Sequence, residues 1–428
     1  MSFSERARFL LSEWINFLLV AVPLRSRATF IELLCGCMLS PEGWVTRVIA
    51  AIDRRSHWTT YFKLLERGSL RTVRLARALL APVAAALPFD TLNLVLDDTL
   101  NLRGSKTAPG CAWRHEHSRK TNCPEFVWAQ CLVTLGVSVL GSSGVAMALP
   151  IISRLVPETG NRNKLRIALV LIRAIAGVVN KPVRVLFDSW FMRARLVLPL
   201  LRRGIHVIAQ ARIDTALFLP PPKQDRPRRG RPRKYGERLS KEAIEALPAI
   251  ELTMRLYGKE QRVRLRSITA LARFLKGLPV HAVWCQFFDE QRQTWTKARL
   301  ILATEIGLDA PTIVQLYARR WGIEPLFHNL KRWWGLNNCW QQTRIVLELW
   351  IQIRSCAWTM MQLLSLAVAD TFPIDTIAPW RSGQPVTAGL VAQALRREFT
   401  GLAFRPALDR KSRKFQWPTP PNAPHPRP

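Results

Sequence analysis

Acidic side chains are scarce in this sequence. Its 428 residues hold 30 Asp plus Glu against 63 Lys plus Arg, a net charge of +33. A chain so poor in acid is expected to need a polyanion, and nucleic acid is the commonest one. Attraction to an anionic membrane or a merely basic surface are the alternatives. Paired cysteines are missing as well. The eight cysteines are scattered and form no C-x-x-C pair, which argues against a disulfide framework and fits a reducing cytoplasm. Long apolar runs are almost absent. Phe17–Val22 spans six residues, too few to cross a bilayer, and the opening Met-Ser-Phe-Ser-Glu-Arg does not start as a signal peptide. Residues 126–152 carry no charge, yet they include Gln130, the turn signal Gly141–Gly144 and Pro150. Two buried strands joined by a tight turn fit this better than a membrane helix. There is no internal repeat. A soluble, cytoplasmic, nucleoid-associated protein without a membrane partner is therefore expected.

What is present divides the chain into five parts. Residues 1–89 carry helix-spaced apolar positions with basic residues between them. They suit either a DNA-end-binding bundle or a helical cap on the core. Residues 90–203 read as mixed α/β. Leu92–Leu96 is a short strand ending in Asp97-Asp98-Thr99, a helix is expected near Asn163–Val179, and a strand Val183–Phe187 ends in Asp188. Residues 204–310 are strand-rich. They enclose a Pro/Arg linker, 219–240, with eight Lys/Arg against two acids, expected to be disordered when free. Residues 311–395 return to helix. Residues 396–428 form a basic, Pro-rich tail expected to lack a fixed structure.

Three carboxylates stand out: Asp97, Asp188 and Glu324. Phosphoryl transfer on DNA uses paired divalent ions, one at the nucleophile and one at the leaving oxygen, and Mg²⁺ takes hard oxygen ligands. Glu324 sits in a run with Tyr317, Arg320 and Lys331. On a continuous helix these four fall within roughly 60° of one another. One stripe would then present a metal-binding carboxylate beside two cations suited to phosphates. Pro325 is expected to kink that helix.

The pattern Y-x2-R-x3-E-x6-K formed by these four residues resembles the signature of bacterial insertion-sequence DDE transposases, which have an RNase H-like core. Asp97-Asp98-Thr99 is similar to their strand-end D-x-T, and Val185-Leu-Phe-Asp188 to their second carboxylate. The resemblance implies an RNase H-like mixed-sheet core in two parts, 90–203 and 311–395, with 204–310 as a β-rich insertion. It implies Asp97, Asp188 and Glu324 as metal ligands, with Asp98 pointing the other way in its strand or supporting the ligands from behind. It further implies Mg²⁺ (Mn²⁺ as a substitute), double-stranded DNA as element ends and target, and a homodimer in a synaptic complex. Relatives carry a tryptophan in the insertion that stacks on a flipped base, so Trp295 and Trp284 are candidates. Tyr317, Arg320 and Lys331 are expected on DNA phosphates.

Two smaller motifs remain. Arg229-Gly230-Arg231-Pro232 is similar to an AT-hook core, whose arginines suit a narrow minor groove. A solvated basic loop is the alternative. Cys111, His115, His117 and Cys123 share one loop, but their spacing matches no zinc module. The expected function is transposition. An RNase H-like nuclease without strand transfer, or an inactive DNA-binding derivative, are the rivals.

Overall fold

The computed structural model describes residues 1–116, 124–141, 143–158, 162–222 and 233–420. Arg229 and Arg231, with His117 and Cys123, lie outside them. The chain opens with α1 (Phe3–Leu19), α2 (Arg27–Leu39), α3 (Val45–Ala50), α4 (Thr59–Arg67), α5 (Thr72–Ala78) and α6 (Leu80–Ala86). Ser2 and Glu5 start α1 with a capping box, satisfying two first-turn donors. The mixed segment then runs β1 (Leu92–Leu102), β2 (Cys111–His115), β3 (Phe126–Leu140), β4 (Ala146–Leu155), α7 (Arg162–Ala176), β5 (Val183–Phe187), α8 (Ala194–Leu201) and β6 (His206–Ala211). The uncharged stretch 126–152 forms a strand pair: β3 and β4 are antiparallel and buried over most of their length.

β1 pairs antiparallel with β3 on one side and parallel with β5 on the other, and β5 pairs parallel with β6. This is the mixed sheet of an RNase H-like fold. Next come β7 (Leu217–Phe218), α9 (Lys241–Glu245), β8 (Ile250–Leu256), β9 (Lys259–Ala272), β10 (Leu278–Asp289), β11 (Thr294–Trp295) and β12 (Arg299–Ala303). They extend the same sheet. β12 pairs with β6, and the path reads β2-β3-β1-β5-β6-β12-β10-β9-β7.

The last helices are α10 (Ala310–Ala318), α11 (Ile323–Arg332), α12 (Arg344–Ala367), α13 (Ile374–Ile377) and α14 (Ala388–Phe399). α12 is the central pillar, nearly all buried, packing on β4 and on the opening helices. No described helix is long and apolar enough to cross a membrane.

Four expectations need correction. β1 does not end at Asp97 but continues to Leu102, because β3 pairs with it residue by residue through Leu102↔Ala129. Tyr317 and Lys331 do not share one helix, because a 3-10 turn, Arg319–Gly322, separates α10 from α11. Pro325 cannot donate to Trp321, so the chain tightens before it and restarts with Pro325 in the first turn, where proline is tolerated. The ends of linker 219–240 are ordered: the Gly236 N–H donates to Leu219 O and the Leu239 N–H to Leu217 O. The tail is packed as far as residue 420. Phe404, Phe415 and Trp417 are buried, and Asn16 of α1 exchanges two hydrogen bonds with Phe415.

Candidate active site

Asp97 lies mid-strand in β1, opposite Thr134 of β3. Strand residues alternate faces, so Asp97 and Asp98 point apart. Asp97 Oδ2 accepts from Arg320 Nη1 at 3.1 Å. Asp98 Oδ2 accepts from Lys164 Nζ of α7 at 2.8 Å and from Cys131 Sγ at 3.1 Å. The Lys164 ammonium also lies 5.0 Å from the centre of the Trp190 ring. Asp188 follows β5 directly. Its Oδ1 accepts the backbone N–H groups of Trp190 at 3.1 Å and Phe191 at 3.3 Å, which fixes the carboxylate at the strand end.

Arg320 closes the group. Its Nη2 donates to Glu324 Oε1 at 2.9 Å, so one guanidinium joins Asp97 and Glu324. The 3-10 turn makes this reach possible. Gly322 seats that turn on β4, where an added Cβ would stand 2.9 Å from the Met147 carbonyl carbon. The electrostatics record the crowding. Burial and then the nearby Asp188 charge push the Asp97 carboxyl up to about 7. Burial also raises Asp188, against the opposing pull of the Phe191 N–H and Arg320. Carboxylates so placed favour a proton or a cation between them. Their oxygens are the hard donors a divalent ion takes. Among the described residues, no three His, Cys, Asp or Glu side chains form a ready-made metal cluster. Here the positive charge between Asp97 and Glu324 belongs to Arg320.

A family model described as DDE superfamily endonuclease matches residues 24–271, more than half of the chain. The chain belongs to the DDE superfamily endonucleases. It is thus an enzyme of a family that acts on DNA and generally uses divalent metals. The matched span holds Asp97 and Asp188 and stops short of Glu324. No curated protein matches the chain.

The remaining expected residues fall in different places in this endonuclease. Tyr317 is buried under α10, and its hydroxyl donates to Gln210 Oε1 of β6 at 3.3 Å. Burial pushes that hydroxyl up to about 12. Lys331 lies half-buried in the last turn of α11, two turns beyond Glu324. Trp295 stands on β11 with Arg264 4.2 Å and Arg262 5.5 Å from its ring. It pairs with Phe288. The neighbouring Phe287 faces the other side of β10, towards Arg299 and the core under α10. Trp295 and the Arg320 group therefore lie on opposite faces of the sheet. Trp284 is a core residue at 4% exposure. Of the Cys/His set, Cys111 is buried and His115 pairs with Glu125 at 3.2 Å.

Sequence reasoning missed Tyr257. It sits at the tip of the β8–β9 hairpin, with φ +55° followed by Gly258 at +78°. Two positive φ values in a two-residue loop are a type I′ turn, where an aromatic first residue is unfavourable and Asn the usual choice. The ring meets Trp321 edge-on at 6.2 Å, and its hydroxyl feels the charges of Arg299, Arg320 and Glu324. Leu256-Tyr-Gly-Lys259 was a readable turn, but nothing local says that the turn lands on Trp321. Lys164 was missed for the same reason.

Proposed function

We propose that the chain is a transposase, which cuts at the ends of an insertion sequence and joins them to target DNA by two-metal phosphoryl transfer. The observation that carries this reading is the convergence of Asp97, Asp188 and Glu324 around Arg320 from three distant parts of the chain. Convergent carboxylates on a rigid sheet and helix suit phosphoryl transfer, which asks for positioning and charge rather than covalent help.

Asp97, Asp188 and Glu324 would hold the ions, Mg²⁺ or Mn²⁺. When bound, these supply a more acidic nucleophile and a counter-charge at the leaving oxygen. Arg320 exchanges a carboxylate contact for a phosphate oxygen, and Lys331 grips the same strand two turns on. Tyr317 holds the base of the site through Gln210. In the first step a water oxygen attacks phosphorus, the P–O3′ bond breaks, and the leaving 3′-oxygen takes up a proton. In the second, that 3′-hydroxyl attacks a target phosphodiester and displaces the target's own 3′-oxygen. The ends are paired by a homodimer on double-stranded DNA, and Arg229 and Arg231 add minor-groove contacts.

A strand-transfer assay with end-labelled DNA tests the reading. Joined product that is lost in Glu324→Ala, with DNA binding kept, is expected. Cleavage without joining would make the chain a nuclease only. No cleavage under any divalent ion would make it a DNA-binding derivative.

A further inference from the structure

One groove away from the carboxylates gathers hydrogen-bond donors that have no acceptor. Its volume is about 870 Å³, and it lies between α11, the start of β4, α12 and the N-terminus of α14. Pro325, Asn329 and Trp333 face it from successive turns of α11, while Glu324 and Lys331 fall on the other side of that helix. Arg381, Arg396 and Trp358 also line it, and among the described residues no Asp or Glu does. The Nε of both arginines and the indole Nε1 of Trp358 are buried and have no partner among the described residues. Trp358 is 4% exposed. Burial alone pulls the Arg396 guanidinium below its usual range. The opening of α14 faces the same space, and its first-turn N–H groups at Ala388 and Gly389 have no acceptor within the helix.

A buried N–H without an acceptor is destabilising, so a cluster of them around one groove marks a place where an acceptor belongs. Two guanidinium groups, an indole N–H and a helix N-terminus together suit an oxyanion. The rim adds Trp333, 66% exposed. A pocket of this size takes a nucleotide or two and is too small for a duplex. Oxyanion donors beside an exposed indole form the combination that holds single strands, a charged track with a stacking platform.

We propose that this groove binds a single-stranded stretch of DNA, with one phosphodiester at the N-terminus of α14 beside Arg381, Arg396 lining the groove farther along that helix, and a base against Trp333. The proposal rests on DNA being what this enzyme handles. It does not depend on the roles given to Asp97, Asp188 and Glu324.

The test is fluorescence anisotropy of the full-length protein with a labelled oligo-dT and with a labelled duplex. Arg381→Gln combined with Arg396→Gln is expected to weaken oligo-dT binding about tenfold. It is also expected to flatten the slope of log affinity against log salt by about 0.7, one neutralised phosphate on a single strand. Duplex binding stays within about twofold. Trp333→Ala, at an exposed position, gives the same selective loss and carries the test if the double variant does not fold. Unchanged oligo-dT binding overturns the proposal, and so does an equal loss for duplex. Inorganic phosphate that competes as well as the oligonucleotide, mole for mole, also overturns it, by making the groove a free-anion site. A wild-type protein that binds neither DNA would instead refute the DNA reading itself.

Discussion

Replacing Asp97 with Asn is expected to stabilise the metal-free protein at neutral pH and to abolish cleavage. The Asp97 carboxyl ordinarily titrates near 3.8 and is held here at about 7. Its folded-state pKa is raised, so the folded state keeps a proton that the unfolded chain has lost. Stability therefore falls as pH climbs from about 4 to about 7, and the loss is complete above that. At about 1.4 kcal/mol per pH unit the full cost is roughly 4 kcal/mol, an upper figure for a side chain that is 18% exposed. Asn is neutral at every pH and keeps the shape. It gives up one acceptor, to Arg320 or to the Asp98 N–H, worth about 1–2 kcal/mol. The net gain is then about 2–3 kcal/mol at pH 8 and near zero at pH 5. For a chain of this length that is a melting-temperature rise of roughly 2–3 °C. Calorimetry at both pH values with a chelator present measures it. Mg²⁺ should then raise the wild type and leave Asp97→Asn largely unmoved, closing or reversing the gap. Equal melting shifts at pH 5 and pH 8, or equal Mg²⁺ stabilisation of the two proteins, would refute the argument that Asp97 is kept ionised at a cost for the sake of a cation.

Three other outcomes follow from the same geometry. Lys164→Met strands the Asp98 carboxylate and should lose roughly 2–3 kcal/mol in chemical denaturation, most of it recovered when Asp98→Asn is added. Tyr257→Asn relaxes the type I′ turn and should gain about 1 kcal/mol, while cleavage measured at saturating DNA drops several-fold because the contact with Trp321 is gone. Gly322→Ala drives a Cβ against Ala146 and Met147 and should cost about 1–3 kcal/mol. It should also lower kcat, since the turn that carries Arg320 to Glu324 can no longer seat.

Local pattern made much of this legible. The uncharged run 126–152 announced β3 and β4 through its Val and Leu content and its Gly-Ser turn, since strands covered on both faces need no polar alternation. The candidate carboxylates were visible because Asp97 and Asp188 follow apolar strands and Glu324 stands in a spaced run. What stayed hidden depends on tertiary pairing. β1 reaches Leu102 because β3 pairs with it, although its own residues turn polar at Asp97. The packed tail was hidden because Phe404, Phe415 and Trp417 are isolated aromatics in a polar context, and the α1 residues that bond it, Asn16 to Phe415 and Ser12 to Trp417, lie about 400 residues away. The Lys164–Asp98 pair and the landing of Tyr257 on Trp321 are likewise long-range events with no sequence period.

The continuous sheet also bears on synthesis. β3 and β4 are neighbours in sequence, and so are β8 and β9, so each pair can form soon after it is made. β12 is different, because it must find β6 about 90 residues back. The Arg319–Gly322 turn seats on β4, which forms early, but the surface under α10, made by β6, β10 and β12, is complete only after that closure. A ribosome making this protein from its N-terminus releases Asp97 and Asp188 long before Glu324. A nascent chain therefore carries the basic charge of its first half before the three carboxylates proposed to cut DNA can meet, and on that proposal cleavage becomes available only near the end of translation.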